Sequence, residues 1–180
     1  LSYPNGNTYI GEFKEGKRNG LFTVIFKDGD KFVGDYKDGE RDGFFKVNFA
    51  NGDKFEGEYK SGKKNGKGTY TFDNGETFVG EFKDGNINGH GTRKLANGDK
   101  FVGKFKDNIM HGKGTYTFKN GETFVGTFEN GRRNGHGTRT LTNGIKYVGE
   151  WKNGFEWNGK VFNKENEILI RYFNGERIKK

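Results

Sequence analysis

A 23-residue period governs this chain. Aligned from Tyr9, seven repeats begin at Tyr9, Phe32, Phe55, Phe78, Phe101, Phe124 and Tyr147. The first position of each is aromatic and the third is glycine. The fifth is aromatic again (Phe13, Tyr36, Tyr59, Phe82, Phe105, Phe128, Trp151). A repeat this short cannot enclose a core of its own. It buries its apolar face only by stacking on its neighbours, which restricts the chain to a quasi-one-dimensional array. Arrays of this kind serve as binding surfaces more readily than as containers for chemistry.

The third repeat shows the local grammar. Phe55, Gly57 and Tyr59 alternate with Glu56, Glu58 and Lys60; Gly68, Tyr70 and Phe72 alternate with Thr69 and Thr71. Period two is the strand signature. Residues 61–66, with a glycine near each end, read as the loop between the two strands. The chain has 14 Asn-Gly and four Asp-Gly dipeptides, which are hairpin signals because type I′ turns need positive φ. Glycine interrupts every window of helical length, so no helix is expected. The third-position glycine leaves a gap between two rings, which a ring from the adjacent strand can cover. Position 14 is glycine in repeats three to six, and position 18 is Phe or Leu in repeats one to six. Both strands thus turn apolar residues and glycine to one face. The predicted fold is all-β: a single-layer solenoid of stacked antiparallel hairpins, elongated, twisted and curved. Residues 1–8 read as a partial repeat, 9–158 as seven repeats, and 159–180 as a C-terminal cap strand and tail. The partial repeat suggests a fragment of a longer or processed protein.

Composition narrows the function. The chain has no cysteine, which removes disulfides and thiolate metal sites and favours a reducing compartment. No apolar run approaches a membrane span. The reading is cytoplasmic, peripheral to membrane or cytoskeleton at most. The net charge of +8 permits an anionic partner without selecting one.

The pattern aromatic-x-Gly-Glu-aromatic-Lys-x-Gly, then Asn-Gly-x-Gly-Thr, then Asn-Gly-Asp/Glu, resembles the MORN (membrane occupation and recognition nexus) repeat family over residues 1–160. The resemblance implies a β-hairpin solenoid with an aromatic-lined groove that docks onto proteins or membranes. In relatives that are enzymes, the chemistry resides in another domain. Repeats one and two depart by placing Phe22 and Phe45 at position 14, preceded by Leu21 and Phe44. The middle repeats alternate, so their true period is 46 residues, and repeat seven carries one extra residue before Gly159.

Two candidate sites follow. A single sheet has no second layer, so some rings must stay exposed and form an interaction groove. Its expected residues are Tyr59, Tyr70, Phe78, Phe82, Phe101, Phe105, Phe124 and Phe128, and its occupant a helix, an extended peptide or a second copy of the chain. A basic edge formed by Lys60, Lys63, Lys64, Lys83, Lys106, Arg132 and Arg133 would suit an anionic membrane. Ile87, Ile109 and Met110 are candidates for a small exposed loop patch. His90, His111 and His136 lack ligand spacing, so no metal site is assigned. The GKGT strings at Lys67 and Lys113 precede strands and are not phosphate loops. No nucleophile–base set stands out, and no cofactor or small-molecule substrate is expected. Nucleic acid is the least favoured partner. The expected role is a non-catalytic protein-interaction scaffold. The alternatives are peripheral binding to anionic phospholipids or the regulatory repeats of a larger enzyme.

Overall fold

The computed structural model describes residues 3–178, and among these there are strands but no helix. The chain divides into two compact halves, Leu1–Gly89 and His90–Lys180. The first half carries β1 (Thr8–Ile10), β2 (Phe13–Lys14), β3 (Lys17–Arg18), β4 (Gly20–Ile25), β5 (Lys31–Lys37), β6 (Glu40–Asn48), β7 (Lys54–Lys60), β8 (Lys63–Thr71) and β9 (Thr77–Lys83). β10 (Asn86–Lys94) spans the boundary. The second half continues with β11 (Lys100–Lys106), β12 (Ile109–Thr117), β13 (Thr123–Glu129), β14 (Arg132–Thr140), β15 (Lys146–Lys152), β16 (Phe155–Phe162), β17 (Ile168–Phe173) and β18 (Glu176–Ile178). Sixteen strands form one open antiparallel sheet in chain order, with β2 and β3 as a separate pair.

The loops are tighter than the sequence suggests. The link between β7 and β8 is the two-residue turn Ser61-Gly62, with φ of 46° and 77°. Both central residues are left-handed, as a type I′ turn requires. Asp38-Gly39, Asp84-Gly85 and Asn130-Gly131 repeat it. Asn65-Gly66, expected in the loop, instead lies inside β8. Asn74-Gly75 closes a wider turn: the Gly75 amide donates to the Phe72 carbonyl (3.0 Å) and the Phe72 amide to the Glu76 carbonyl (2.9 Å). Asn-Gly therefore marks three different backbone features here.

Each hairpin bends at one place. The β7–β8 register slips between Gly57 and Tyr59, and the same slip recurs at Gly34/Tyr36, Gly103/Phe105 and Gly126/Phe128. A bulge kinks its strand and increases the local twist. Along a straight strand the first and fifth positions would stand about 13 Å apart. Their ring centroids are instead 5.5 Å apart for Phe55–Tyr59 and 5.1 Å for Phe101–Phe105. The rings also lean over glycine. A Cβ on Gly114 would meet the Phe101 ring at 2.4 Å, and one on Gly68 would meet the Phe55 ring at 2.7 Å. The covering ring belongs to the same repeat and lies over both of its glycines. In the early repeats the ring arrives from position 14 instead: a Cβ on Gly34 would meet Phe45 at 2.6 Å.

The core is a herringbone of rings. In the second half, edge-to-face contacts run Phe105–Phe101–Phe128–Phe124–Trp151–Tyr147–Tyr172. In the first half they run Tyr59–Phe55–Phe82–Phe78. Each such pair contributes roughly 0.5–1.5 kcal/mol beyond its area burial. Within the expected C-terminal cap lies β17 over Ile168–Phe173. In the expected tail, Arg177 and Ile178 belong to a further strand, β18, paired to β17; Lys179 and Lys180 lie outside the described residues.

Candidate interaction clefts

A two-residue turn determines where the loop cations go. With Tyr59 paired to Lys64 and Lys60 to Lys63, alternation sends Lys63 outward and Lys64 onto the ring face. The tenth position of each repeat is therefore an inward position. Arg18 sits 4.6 Å from the Tyr36 ring centroid and Arg41 4.6 Å from that of Phe32. Lys64 lies 4.5 Å from Tyr70, and Arg133 lies 4.2 Å from Trp151. Cations so placed are held by the ring quadrupole. Burial pulls the Lys64 ammonium below the usual lysine range and pushes the Tyr59 hydroxyl up to about 12.

The arginines also join consecutive loops. The Gly39 amide donates to the Arg18 carbonyl (2.9 Å), and Arg18 Nη2 donates back to the Gly39 carbonyl (2.6 Å). Arg41 and Gly62 repeat this reciprocal pair, as do Arg133 and Gly154. Guanidinium geometry permits this while leaving further N–H donors for other acceptors. Arg133 Nη1 is buried without a hydrogen-bond partner.

The opposite wall consists of the position-18 rings and the turn beneath them. Phe26, Phe49, Phe72 and Phe118 are half-buried. Tyr70 donates to Asp53 Oδ2 (2.6 Å), and the Asp73 amide donates to Asp53 Oδ1 (3.0 Å). Tyr116 and the Lys119 amide do the same to Asp99. Arg139 instead pairs with Glu122 at 2.6 Å. This alternation accounts for the 46-residue period. The Tyr70 hydrogen bond holds the Asp53 carboxyl below the usual carboxylate range, Tyr116 does the same for Asp99, and Arg139 does so for Glu122. Groups with depressed folded pKa values stabilise the fold above their unfolded pKa, about 4, and lose that contribution as pH falls through the folded value. Thermal melts should therefore hold steady from neutral pH to about pH 5 and drop below about pH 4. An Asp53→Asn, Asp99→Asn, Glu122→Gln variant should start lower at neutral pH and lose less on acidification. An unchanged acid slope in that variant would refute the assignment.

Between these walls lie clefts. In the first half, Tyr9, Arg18, Phe26, Tyr36, Glu40 and Arg41 line one of about 330 Å³. In the second, Met110, Tyr116, Phe118, Phe128, Arg132 and Arg133 line one of about 280 Å³.

The expected groove is thus corrected. Phe78, Phe82, Phe101, Phe105, Phe124, Phe128 and Tyr59 are buried, with Phe55, Phe78, Phe101 and Phe124 at 0 % exposure. They form the floor and the core, because bulge and glycine bring first and fifth rings together. Only Tyr70 of that set keeps a half-exposed surface. The basic edge is corrected too: Lys60, Lys63, Lys83, Lys106 and Arg132 are exposed, but Lys64 and Arg133 turn inward onto rings. Of the loop patch, Ile109 is exposed, Met110 half-buried, and Ile87 buried at an inward tenth position. Leu21 and Phe44 of the greasy first repeats are exposed, while Phe22 and Phe45 are fully buried. Among the described residues no group of acidic, His or Cys side chains could hold a metal ion.

The family model of the MORN repeat matches residues 9–31, 32–54, 55–77, 78–100, 101–123, 124–146 and 147–157. This chain belongs to the MORN repeat family. No curated protein matches it in sequence. Among solved structures, the MORN chain is similar in fold to the TCP domain of SAS-4 (dCPAP) of Drosophila melanogaster, in complex with a proline-rich motif of Ana2 (dSTIL). That likeness has a TM-score of 0.52 at 19% identity, over 83% of this chain and 82% of that one. The wild-type TCP10 domain of Danio rerio CPAP aligns over 96% of this chain and 98% of its own, at 12% identity and a TM-score of 0.33.

Proposed function

We propose that this MORN array is a non-catalytic protein-interaction scaffold that takes a partner segment in the clefts between the loop cations and the position-18 rings. The observation that carries this reading is the pairing of half-exposed rings with cations held on ring faces, present in both halves (Phe26 with Arg18 and Arg41; Phe118 with Arg133). Aromatic surface beside fixed guanidinium groups is the composition of interface hot spots. The similar fold of the SAS-4 TCP domain, in complex with a proline-rich motif, supports an extended segment as the occupant. Anionic membrane is the weaker reading, because two of its seven expected cations lie on rings.

The test is selection of binders from a displayed library of disordered protein segments. Recovered binders should be lost, by at least about tenfold in Kd, on Phe26→Asp or Phe118→Asp, and kept on Val125→Asp. Val125 is the right control because it is 55% exposed on the other face. Recovery of no binders, or binders indifferent to both cleft substitutions, would end the proposal.

A further inference from the structure

The first half holds a row of cations that are not tied up in salt bridges. Arg18, Arg41 and Lys64 occupy the same position in three successive repeats. Among the described residues none of the three forms an ion pair. Their positions are fixed. The guanidinium groups are clamped by the Gly39 and Gly62 carbonyls (2.6 and 2.9 Å), and the ammonium is seated on Tyr70. Arg18 and Arg41 line one cleft with Tyr9, Phe26 and Tyr36. Two carboxylates face the row. Glu40 stands exposed on the cleft lip, and Asp53, which acts on Lys64 across space, is engaged by Tyr70 and the Asp73 amide. Positive charge held in place and half-buried on aromatic faces is pre-organised for anionic groups.

Spacing selects the backbone that would present those groups. Successive hairpins place equivalent residues two strand spacings apart, about 9.6 Å. A polyproline-II segment turns once every three residues and rises about 9.3 Å in doing so, so residues i and i+3 face the same side at nearly the hairpin repeat. A β-strand returns to the same face at about 6.6 or 13 Å. An α-helix comes back after seven residues at about 10.5 Å, drifting by roughly 1 Å per hairpin. We propose that Arg18, Arg41 and Lys64 read an acidic side chain at every third position of a polyproline-II segment of a partner protein. The intervening residues lie against Phe26 and the neighbouring rings. This rests on the scaffold reading and specifies its partner.

Peptides of one composition test it. A labelled peptide of four Pro-Pro-Glu triplets is titrated against the whole chain at physiological ionic strength. Two controls accompany it: an isomer with its four Glu residues contiguous, and a Pro-Pro-Gln version. The triplet peptide should bind about tenfold more tightly than either control. Arg41→Gln should weaken it about tenfold in protein that still melts cooperatively, and Glu40→Gln, which touches no loop contact, should tighten it about twofold. Equal binding of the contiguous isomer would reduce the effect to bulk charge and overturn the inference. Equal binding of the glutamine peptide would overturn it while leaving the scaffold reading intact. Failure of the triplet peptide to bind would overturn it as well, the scaffold reading then standing or falling on the library selection alone.

Discussion

Phe101→Ala is expected to lower the unfolding free energy by about 3–5 kcal/mol, the range for deleting a fully buried phenylalanine. Phe101 is 0 % exposed and stands edge-on to both Phe105 and Phe128, at 5.1 and 4.9 Å. It also roofs Gly103 and Gly114, whose added Cβ atoms would lie 2.7 and 2.4 Å from its ring. Removing the ring leaves a cavity that no second layer can collapse into, and it uncovers backbone on both strands of the hairpin. Val102, the next residue along the chain, is 43% exposed on the other face. Val102→Ala should change stability by less than about 0.5 kcal/mol. Urea denaturation of the three proteins checks the contrast. A Phe101→Ala cost near that of Val102→Ala would mean that the herringbone is not the core.

Gly114→Val is expected to cost at least about 3 kcal/mol, or to abolish cooperative folding of the second half, because overpacking here meets a ring already in contact with backbone. Its interest lies in rescue. Phe101→Leu withdraws the ring edge from Gly114, so the double variant should be more stable than the sum of its parts by about 1 kcal/mol or more. Strict additivity in that cycle would show that glycine is required at 114 for some reason other than the ring. The early repeats use a different arrangement: Phe45 at position 14 leans over Gly34 across the pair, while the first-position ring, Phe32, packs against Phe26 and Phe49.

Much of this fold was legible in the residues, and the failures are local. The alternation Phe55-Glu56-Gly57-Glu58-Tyr59 defines strand β7, and β17 lies within the expected C-terminal cap. The loop length was misread because Asn65-Gly66 has turn chemistry, whereas it serves a strand opposite a bulge. That misreading hid the site. Taking the turn as Ser61-Gly62 alone, period two carries Lys64 and its equivalents Arg18, Arg41 and Arg133 onto the ring face. Exposure of the rings was misjudged because a straight strand keeps positions one and five apart, and only the bulge between Gly57 and Tyr59 brings them together. The pairing of Asp53 with Tyr70 spans 17 residues of sequence. Its signal was the 46-residue alternation, which has a chemical basis beyond shared ancestry.

That alternation sets a parity rule for the array. Asp53 and Asp99 each meet a tyrosine of the following repeat, whereas Glu122 meets an arginine. Excising residues 78–100 alone would present Glu76 to Tyr116 and leave a longer acid reaching for a hydroxyl positioned for a shorter one. Excising 78–123 would present Glu76 to Arg139, the combination already built at Glu122. In these middle repeats the pair of hairpins, and not the single hairpin, is thus the unit whose removal keeps every acid with a partner of matching reach.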